Sequence, residues 1–442
     1  MKRFTIESVR EKLKHAGFQK YLKNTGWLFF ARILNLAVSF FTSILVIRYL
    51  GPTNNGALSY AVGFVGLFSI FANLGIEQIL YRELIKKPED KDKLLGTSFF
   101  IRIIGSVFAI ILISIISFFT ENDTLSRTLI IINSFTLFFA SFNVIGYYFQ
   151  AQVLAKYQAL GSIIGLTSLS LLKLVVIFLD KGVIYFSIVL ALENIIYAIV
   201  AIYFYHKQKQ SILNWKFDYS FAKILLNNSW PLLLSSAFVL IYTRIDQVMI
   251  KHMMDTTSVG IYDAAARLSE LWYFIPALIT NSLFPAIINA HKTSEQTFQN
   301  RLAHLYLLMF TMSIIIAIPV SLFSHNIINL LYGHAFLSAS SILSIYVWSG
   351  VPVFLSIAIS NYLLAENFTK IIFWSSFIGM ASNVLLNLIF IPSFGMNGAA
   401  FATLISYSLV PISTLTLFKE TRGHNKILLA ALKIPFNLKH AK

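Results

Sequence analysis

Cysteine is absent from the 442 residues, so disulfides, thiolate metal sites and a cysteine nucleophile are all excluded. Charge is scarce too: Asp, Glu, Lys and Arg make up 12% of the chain, against roughly 25% in soluble domains. A water-soluble fold could not bury what is left. The sequence also has no phosphate-binding glycine loop and no nucleophile elbow, and His325 and His334 stand near each other without a third metal ligand. No cofactor is implied, and an enzyme reading has little support. The basic first 25 residues are interrupted by Glu7 and Glu11. The apolar run that follows ends in Arg48-Tyr49-Leu50-Gly51-Pro52 without a small-x-small cleavage pattern, so no cleaved signal peptide is expected.

Apolar sequence is what is abundant, at 57% of positions. It recurs in runs of about 20 residues, each long enough to cross a hydrocarbon core of about 30 Å as a helix. The pattern predicts an all-α polytopic membrane protein with twelve spans: 26–50, 57–78, 96–119, 128–149, 159–179, 183–205, 224–250, 259–288, 302–324, 339–364, 370–391 and 399–418. The stretches Gly51 to Gly56 and Pro392 to Gly398 read as turns that helices do not continue through, so successive spans should run as hairpins.

Lys and Arg favour the cytoplasmic side, and their distribution divides the connections cleanly. With the N-terminus inside, the inside segments hold 26 of the 35 cations, and the outside loops hold only Arg127, Lys181 and Lys251. The +16 formal charge is therefore mostly topology. Because these cations lie in separate short loops without a recognition motif, nucleic-acid binding is rejected. The expected organisation is a basic cytoplasmic segment (1–25), an N-terminal six-helix lobe (26–205), a cytoplasmic linker (206–223), a C-terminal six-helix lobe (224–418) and a basic cytoplasmic tail (419–442). Phe4, Ile6, Val9 and Leu13 among basic residues, and Ile427, Leu428, Leu432 and Ile434 in 426–438, could form interfacial helices or plain solvated tails. A weak internal repeat joins the lobes. Asn24-Thr25-Gly26-Trp27 matches Asn228-Ser229-Trp230-Pro231, and Arg48 to Gly56 aligns with Lys251 to Gly260 after a one-residue insertion. Six spans per half would make these parallel repeats about an axis normal to the membrane.

Six cations fall inside spans: Arg32, Arg48, Arg102, Lys173, Arg244 and Arg267. An ionisable group in hydrocarbon costs at least a few kcal/mol, so each should face a cavity, a partner or an interface. Arg32 heads a polar stripe with Asn35, Ser39 and Thr42 at helical spacing, which suits a cavity wall. Arg102 lies about 9 Å from the cytoplasmic end with little polar company and should snorkel. Arg244 and Asp246, two residues apart, point to nearly opposite sides of one helix and cannot neutralise each other. Asp263, Arg267 and Glu270, at i, i+4 and i+7, share a face and could form a structural ion triad or a gating element. Ser69, Asn73 and Glu77 share a face of span two, fitting hydration or a proton site. Lys173 fits a cavity or an interface equally. The expected cationic cavity is thus Arg32, Arg48, Lys173, Arg244 and Arg267, with Glu77, Asp246, Asp263 and Glu270 as coupling or gating acids. Arg predominates, and its planar fork matches phosphate and carboxylate oxygens, so the transported species should be anionic. Gly161 and Gly165 form a small-xxx-small pattern that reads as helix packing.

Several segments together resemble the polysaccharide (O-antigen or O-unit) flippases of the multidrug/oligosaccharidyl-lipid/polysaccharide exporter superfamily, over essentially the whole chain. They are Arg48-Tyr49-Leu50-Gly51-Pro52 with Gly56, Asn73-Leu74-Gly75 with Arg82-Glu83, Asp246 with Val259-Gly260-Ile261-Tyr262, and Gly395-Met396-Asn397-Gly398-Ala399-Ala400. The resemblance implies two lobes related by a pseudo-two-fold, in the bacterial inner membrane with both termini cytoplasmic. It implies alternating-access transfer of undecaprenyl-diphosphate-linked oligosaccharide to the outer leaflet. It further implies membrane lipids, a polysaccharide polymerase and a chain-length regulator as partners, and H+ or Na+ as coupling ion. Three alternatives stay open. A multidrug cation exporter should present more acids than Glu77 and Glu193 in its N-terminal half. A peptidoglycan lipid-precursor flippase typically carries two more helices. A polysaccharide polymerase needs larger outer loops than 325–338, the longest here.

Overall fold

The computed structural model describes residues 16–291, 294–366 and 368–428. The candidate interfacial residues Phe4, Ile6, Val9 and Leu13, and those beyond 428, lie outside this range. Fifteen α-helices and short 3-10 turns account for the described residues, without a β-strand among them. In chain order they are α1 (Ala16–Asn73), α2 (Glu77–Lys86), α3 (Lys91–Thr120), α4 (Thr124–Phe139), α5 (Val144–Ala151), α6 (Ala155–Phe178), α7 (Val183–Lys207) and α8 (Tyr219–Met253). They continue as α9 (Thr256–Glu270), α10 (Phe274–His291), α11 (Glu295–Leu322), α12 (Ser324–Tyr332), α13 (Ala339–Tyr346), α14 (Gly350–Ala365) and α15 (Thr369–Thr416).

Among the described residues, ten helical stretches are long and apolar enough to cross a membrane. Two of them, Gly26–Lys86 with 61 residues and Thr369–Thr416 with 48, would be about 90 and 70 Å long if straight, far beyond one crossing. Each of the helices α1 and α15 within them carries a non-helical residue, Gly51 (φ 67) in α1 and Gly395 (φ 59) in α15. Two legs apiece bring the total to the expected twelve. The expected multi-residue turns at Gly51 to Gly56 and Pro392 to Gly398 are corrected to these single breaks. A glycine takes positive φ without a Cβ penalty, and Pro52 is pre-set for the first turn of the next leg.

Two further departures concern the ends of spans. Leu74 (φ 52) and Gly75 (φ 62) split the second span before Glu77, so Ser69, Asn73 and Glu77 do not share one continuous helical face. The outer connection 325–338 is mostly helical, as α12 and the turn His334–Phe336.

Contacts divide the chain into two compact units: residues up to Tyr49 together with Phe68–Leu233, and Leu50–Leu67 together with Leu234 onward. In the first unit, Ile76, Leu80, Leu94, Leu95, Val144 and Ile145 form a dry core. Gly161 and Gly165 let α6 lie against Tyr197 of α7, with the nearest ring atom 3.4 Å from where a Gly161 Cβ would stand. Helix α3 shows how composition sorts the faces: Ile104, Phe108, Ile111, Ile115 and Phe118 are exposed at helical spacing, while Gly105, Ser106, Ala109 and Ile113 are buried. Apolar outside and small or polar inside is the arrangement a lipid solvent favours.

In the second unit, α10, α11 and α14 enclose a core of Phe298, Leu302, Tyr306, Met309, Phe354 and Ala358. The start of the second leg of α1 crosses α9 in the same unit at backbone contact. A Cβ on Gly56 would lie 1.8 Å from the Thr256 carbonyl oxygen, and one on Gly260 would lie 1.9 Å from that of Pro52. Thr53 and Thr257 hydroxyls meet at 2.9 Å, and Asn55 Nδ2 donates to the Gly260 carbonyl at 3.1 Å. Residues 52, 53 and 56 thus answer 256, 257 and 260 reciprocally, as a two-fold axis through the crossing requires. These are the residues that the sequence repeat aligns.

Candidate functional site

Each unit contains a pocket at the depth of its spans, and each pocket holds one arginine. In the first unit a cavity of about 290 Å³ is lined by Arg32, Asn35 and Ser39 of α1, with Asn143, Ser162, Glu193, Asn194 and Tyr197 opposite. Three of the four stripe residues therefore do share a wall, while Thr42 is buried. Asn35 Nδ2 donates to Ser162 Oγ at 2.6 Å, tying α1 to α6. Glu193, outside the expected set, supplies an acid to this wall, and Lys173 is close enough to act on its charge.

Arg102 does not snorkel. It is 1% exposed, its Nη2 donating to Asn73 Oδ1 at 2.7 Å and to the Ala140 carbonyl at 3.2 Å, with Nη1 3.5 Å from Glu77 Oε1. The helix break at Leu74 and Gly75 explains the correction. It lets the side-chain oxygens of Asn73 and Glu77, which flank it, both face Arg102 of α3. Glu77 thereby joins, with a side chain 43% exposed, the structural cluster around the buried Arg102.

In the second unit a cavity of about 550 Å³ is lined by Arg244 and Glu270, with Tyr242, Tyr273, Tyr407, Ser360 and Asn361 among its walls. Glu270 also accepts from the Tyr346 hydroxyl at 3.1 Å. Asp246, two residues beyond Arg244, points away from that pocket into the protein. It accepts from Tyr262 Oη at 2.6 Å, Thr403 Oγ1 at 2.5 Å and Asn387 Nδ2 at 2.6 Å. The near-opposite orientation of positions i and i+2 thus gives each charge its own environment. Asn383 and Asn387, one helical turn apart in an apolar span, were the signal in the sequence for this carboxylate's partners, and with Thr403 and Tyr262 they are the functional candidates that charge alone did not single out.

Asp263, Arg267 and Glu270 do not form one triad. Arg267 Nε donates to Asp263 Oδ2 at 2.6 Å, and Gln247 Nε2 donates to Asp263 Oδ1 at 3.0 Å. Asp263 is buried, whereas the Arg267 side chain is 46% exposed, so part of its guanidinium stays available. Glu270 turns to the Arg244 pocket instead. Arg48 is exposed at the end of the first leg of α1, next to Tyr49, whose hydroxyl donates to Asp180 Oδ1 at 2.8 Å.

Comparison with known proteins fits this arrangement of bent helices and buried polar sites. The family model described as "Polysaccharide biosynthesis protein" matches residues 21–291, and a second, described as "MatE", matches 231–409. Two relatives come from Haloferax volcanii. "Probable low-salt glycan biosynthesis flippase Agl15" is 26% identical over 42% of this chain and 40% of its own length, and "Probable flippase AglR" is 29% identical over 38% and 36%. The chain thus spans well under half the length of these two. The "Uncharacterized membrane protein MJ1068" of Methanocaldococcus jannaschii is 22% identical over 92% of this chain and 85% of its own. Among solved structures, "Lipid II flippase MurJ, inward closed conformation" superposes with a TM-score of 0.71 at 20% identity, over 95% of this chain and 93% of that one. An inward-facing multidrug resistance MATE family transporter gives 0.69 at 13% identity, over 90% and 96%. The fold is therefore that of these transporters, and the chain belongs to the polysaccharide biosynthesis protein family, within the multidrug/oligosaccharidyl-lipid/polysaccharide exporter superfamily.

Proposed function

We propose that the protein is a flippase that moves undecaprenyl-diphosphate-linked oligosaccharide from the cytoplasmic to the outer leaflet of the bacterial inner membrane by alternating access, with both termini cytoplasmic. One observation carries the reading: within largely apolar spans, Arg32 and Arg244 each line a cavity and are not used up in structural bonding. The Arg32 guanidinium, with spare donors, suits a diphosphate, which offers several acceptor oxygens in a fork-matching geometry, and the Arg244 guanidinium suits other oxygen-rich parts of the cargo. The names of the Haloferax relatives, both flippases and one of them for a glycan, support a lipid-linked glycan as cargo. The reaction is transport, and no bond of the cargo is made or broken.

Arg48, Lys173 and Arg267 stand outside the two cavity walls and are proposed as further cationic contacts for the cargo. Asp246, Asp263 and Glu270 are candidates for coupling to H+ or Na+ or for gating, and Asp246 is the foremost, since neutral donors hold it. Membrane lipids, a polysaccharide polymerase and a chain-length regulator are the proposed partners. The test is replacement of Arg32 or Arg244 by Ala in cells making the glycan. Each variant should abolish surface polysaccharide at unchanged protein level, and full surface glycan in both would rule out these arginines as cargo contacts.

A further inference from the structure

We propose that the second unit's pocket is a subsite for a sugar ring of the cargo, with Arg244 and Glu270 reading ring hydroxyls. The assignment rests on the lipid-linked glycan reading and adds which part of the cargo this pocket takes. Its wall carries one cation and one acid, Arg244 and Glu270, so its formal charge cancels. A diphosphate placed there would meet the Glu270 carboxylate, which repels it. A sugar hydroxyl has no such conflict, because it accepts from the guanidinium and donates to the carboxylate.

The tyrosines point the same way. Tyr242 and Tyr407 pack edge to face with centroids 5.2 Å apart, and both line the cavity with Tyr273. Aromatic surface suits the C–H face of a pyranose, while hydroxyls and amides at the rim suit its oxygens. The Tyr273 and Tyr407 hydroxyl oxygens are buried and have no hydrogen-bond partner, although Tyr407 is only 4% exposed. A buried phenol hydroxyl left unpaired is unfavourable. Both rings stand in the cavity wall, so a turn of either phenol toward an oxygen-rich occupant would supply the partner its hydroxyl lacks. The 550 Å³ volume is within the range of small-ligand pockets. The first unit's pocket differs in balance, since Arg32 and the nearby Lys173 outnumber Glu193, which makes it the better place for phosphate.

The test uses the full-length protein in nanodiscs and two soluble probes, with binding read by saturation-transfer NMR. The first is the oligosaccharide released by mild acid from the lipid-linked pool of the producing cells, and the second is the sugar-free farnesyl diphosphate. The oligosaccharide should give a saturable signal, weakened about fivefold by Tyr407→Phe and about tenfold by Glu270→Gln, the scale of one neutral and one charge-assisted hydrogen bond. Tyr407→Phe should leave the Tm unchanged or raise it, because it removes an unpaired buried hydroxyl. A hydroxyl with a purely structural role would lower Tm and binding together. Farnesyl diphosphate should bind equally well to Tyr407→Phe and more weakly to Arg32→Ala. Absence of a saturable oligosaccharide signal, unchanged affinity in both variants, or a Tm loss in Tyr407→Phe that parallels its binding loss would each overturn the sugar subsite. Failure of farnesyl diphosphate to bind the unmodified protein would instead overturn the diphosphate reading.

Discussion

A single methyl group at Gly260 should open the crossing between α9 and the second leg of α1. The Cβ of Gly260→Ala would sit 1.9 Å from the Pro52 carbonyl oxygen, 2.7 Å from the Gly56 nitrogen and 2.9 Å from the Pro52 carbonyl carbon. Carbon and carbonyl oxygen normally approach to about 3.3 Å, so the helices must separate by about 1.4 Å. All three obstructing atoms are backbone, so no side-chain rotation can make room. Overpacking of this kind costs about 1–3 kcal/mol. The separation also breaks the Thr53–Thr257 and Asn55–Gly260 hydrogen bonds, worth about 0.6 kcal/mol each in a membrane interior. The total is about 2–4 kcal/mol. Thermal unfolding in detergent, followed by tryptophan fluorescence, should show Gly260→Ala melting several degrees below the unmodified protein. Gly182→Ala is the control, because nothing lies within 4 Å of its would-be Cβ and its φ is not positive. Equal melting temperatures for the two variants would refute the crossing geometry.

The absence of native cysteine makes Thr53→Cys with Thr257→Cys a clean cross-linking pair. Their hydroxyls meet at 2.9 Å, so mild oxidation should give an intramolecular disulfide seen as a gel shift, and no shift would count against the reciprocal contact. Arg102→Leu strands acceptors on Asn73 and Ala140 and should cost about 3 kcal/mol, discounted for the 43% exposed Glu77 side chain. Its folded yield in detergent should fall sharply, and a normal yield would mean that the cluster does not hold the break in span two. Asp246→Asn turns one acceptor into a donor facing Tyr262, Thr403 and Asn387; surface glycan should be lost at detectable protein level, and normal glycan would remove Asp246 from coupling.

Periodicity alone was enough to find the twelve spans, because hydrocarbon thickness fixes their length and the lipid-facing residues advertise themselves. Gly51 and Gly395 were visible as turn glycines, but a run such as Gly51-Pro52-Thr53-Asn54-Asn55-Gly56 has turn composition whether the chain loops or merely kinks. The crossing of α1 and α9 uses those same residues for interhelical contact, which no local pattern encodes. Arg102 illustrates the same limit. Its depth was readable from the sequence, yet its partners Asn73, Glu77 and the Ala140 carbonyl come from two other segments and depend on a helix break. Arg244 and Asp246 were more legible, since a two-residue separation on a helix forces opposite orientations whatever surrounds them.

Ranking the buried charges by what already binds them separates support from function. Arg102 has acceptors on both Nη atoms, and Asp263 accepts from Arg267 and Gln247. Such groups can give up little without destabilising their own unit. Asp246 has three donors but none of them carries a charge, which leaves a carboxylate in a low-dielectric site held by neutral groups alone. That condition favours capture of a proton or cation. Arg32 and Arg244 line open cavities, so they can bind something that arrives and leaves. A transporter needs its cargo contacts to be reversible, and in hydrocarbon reversibility requires that the same side chain be tolerable when empty. Glu193 beside Arg32 and Glu270 beside Arg244 meet that requirement. Each acid tempers its arginine when the pocket is empty, and a neutral hydroxyl entering beside Glu270 meets no like charge. Replacing Glu193 by Gln should therefore tighten farnesyl diphosphate binding while slowing glycan export, because a cation without its counter-charge holds an anion for longer. Faster export from that variant would contradict this reasoning.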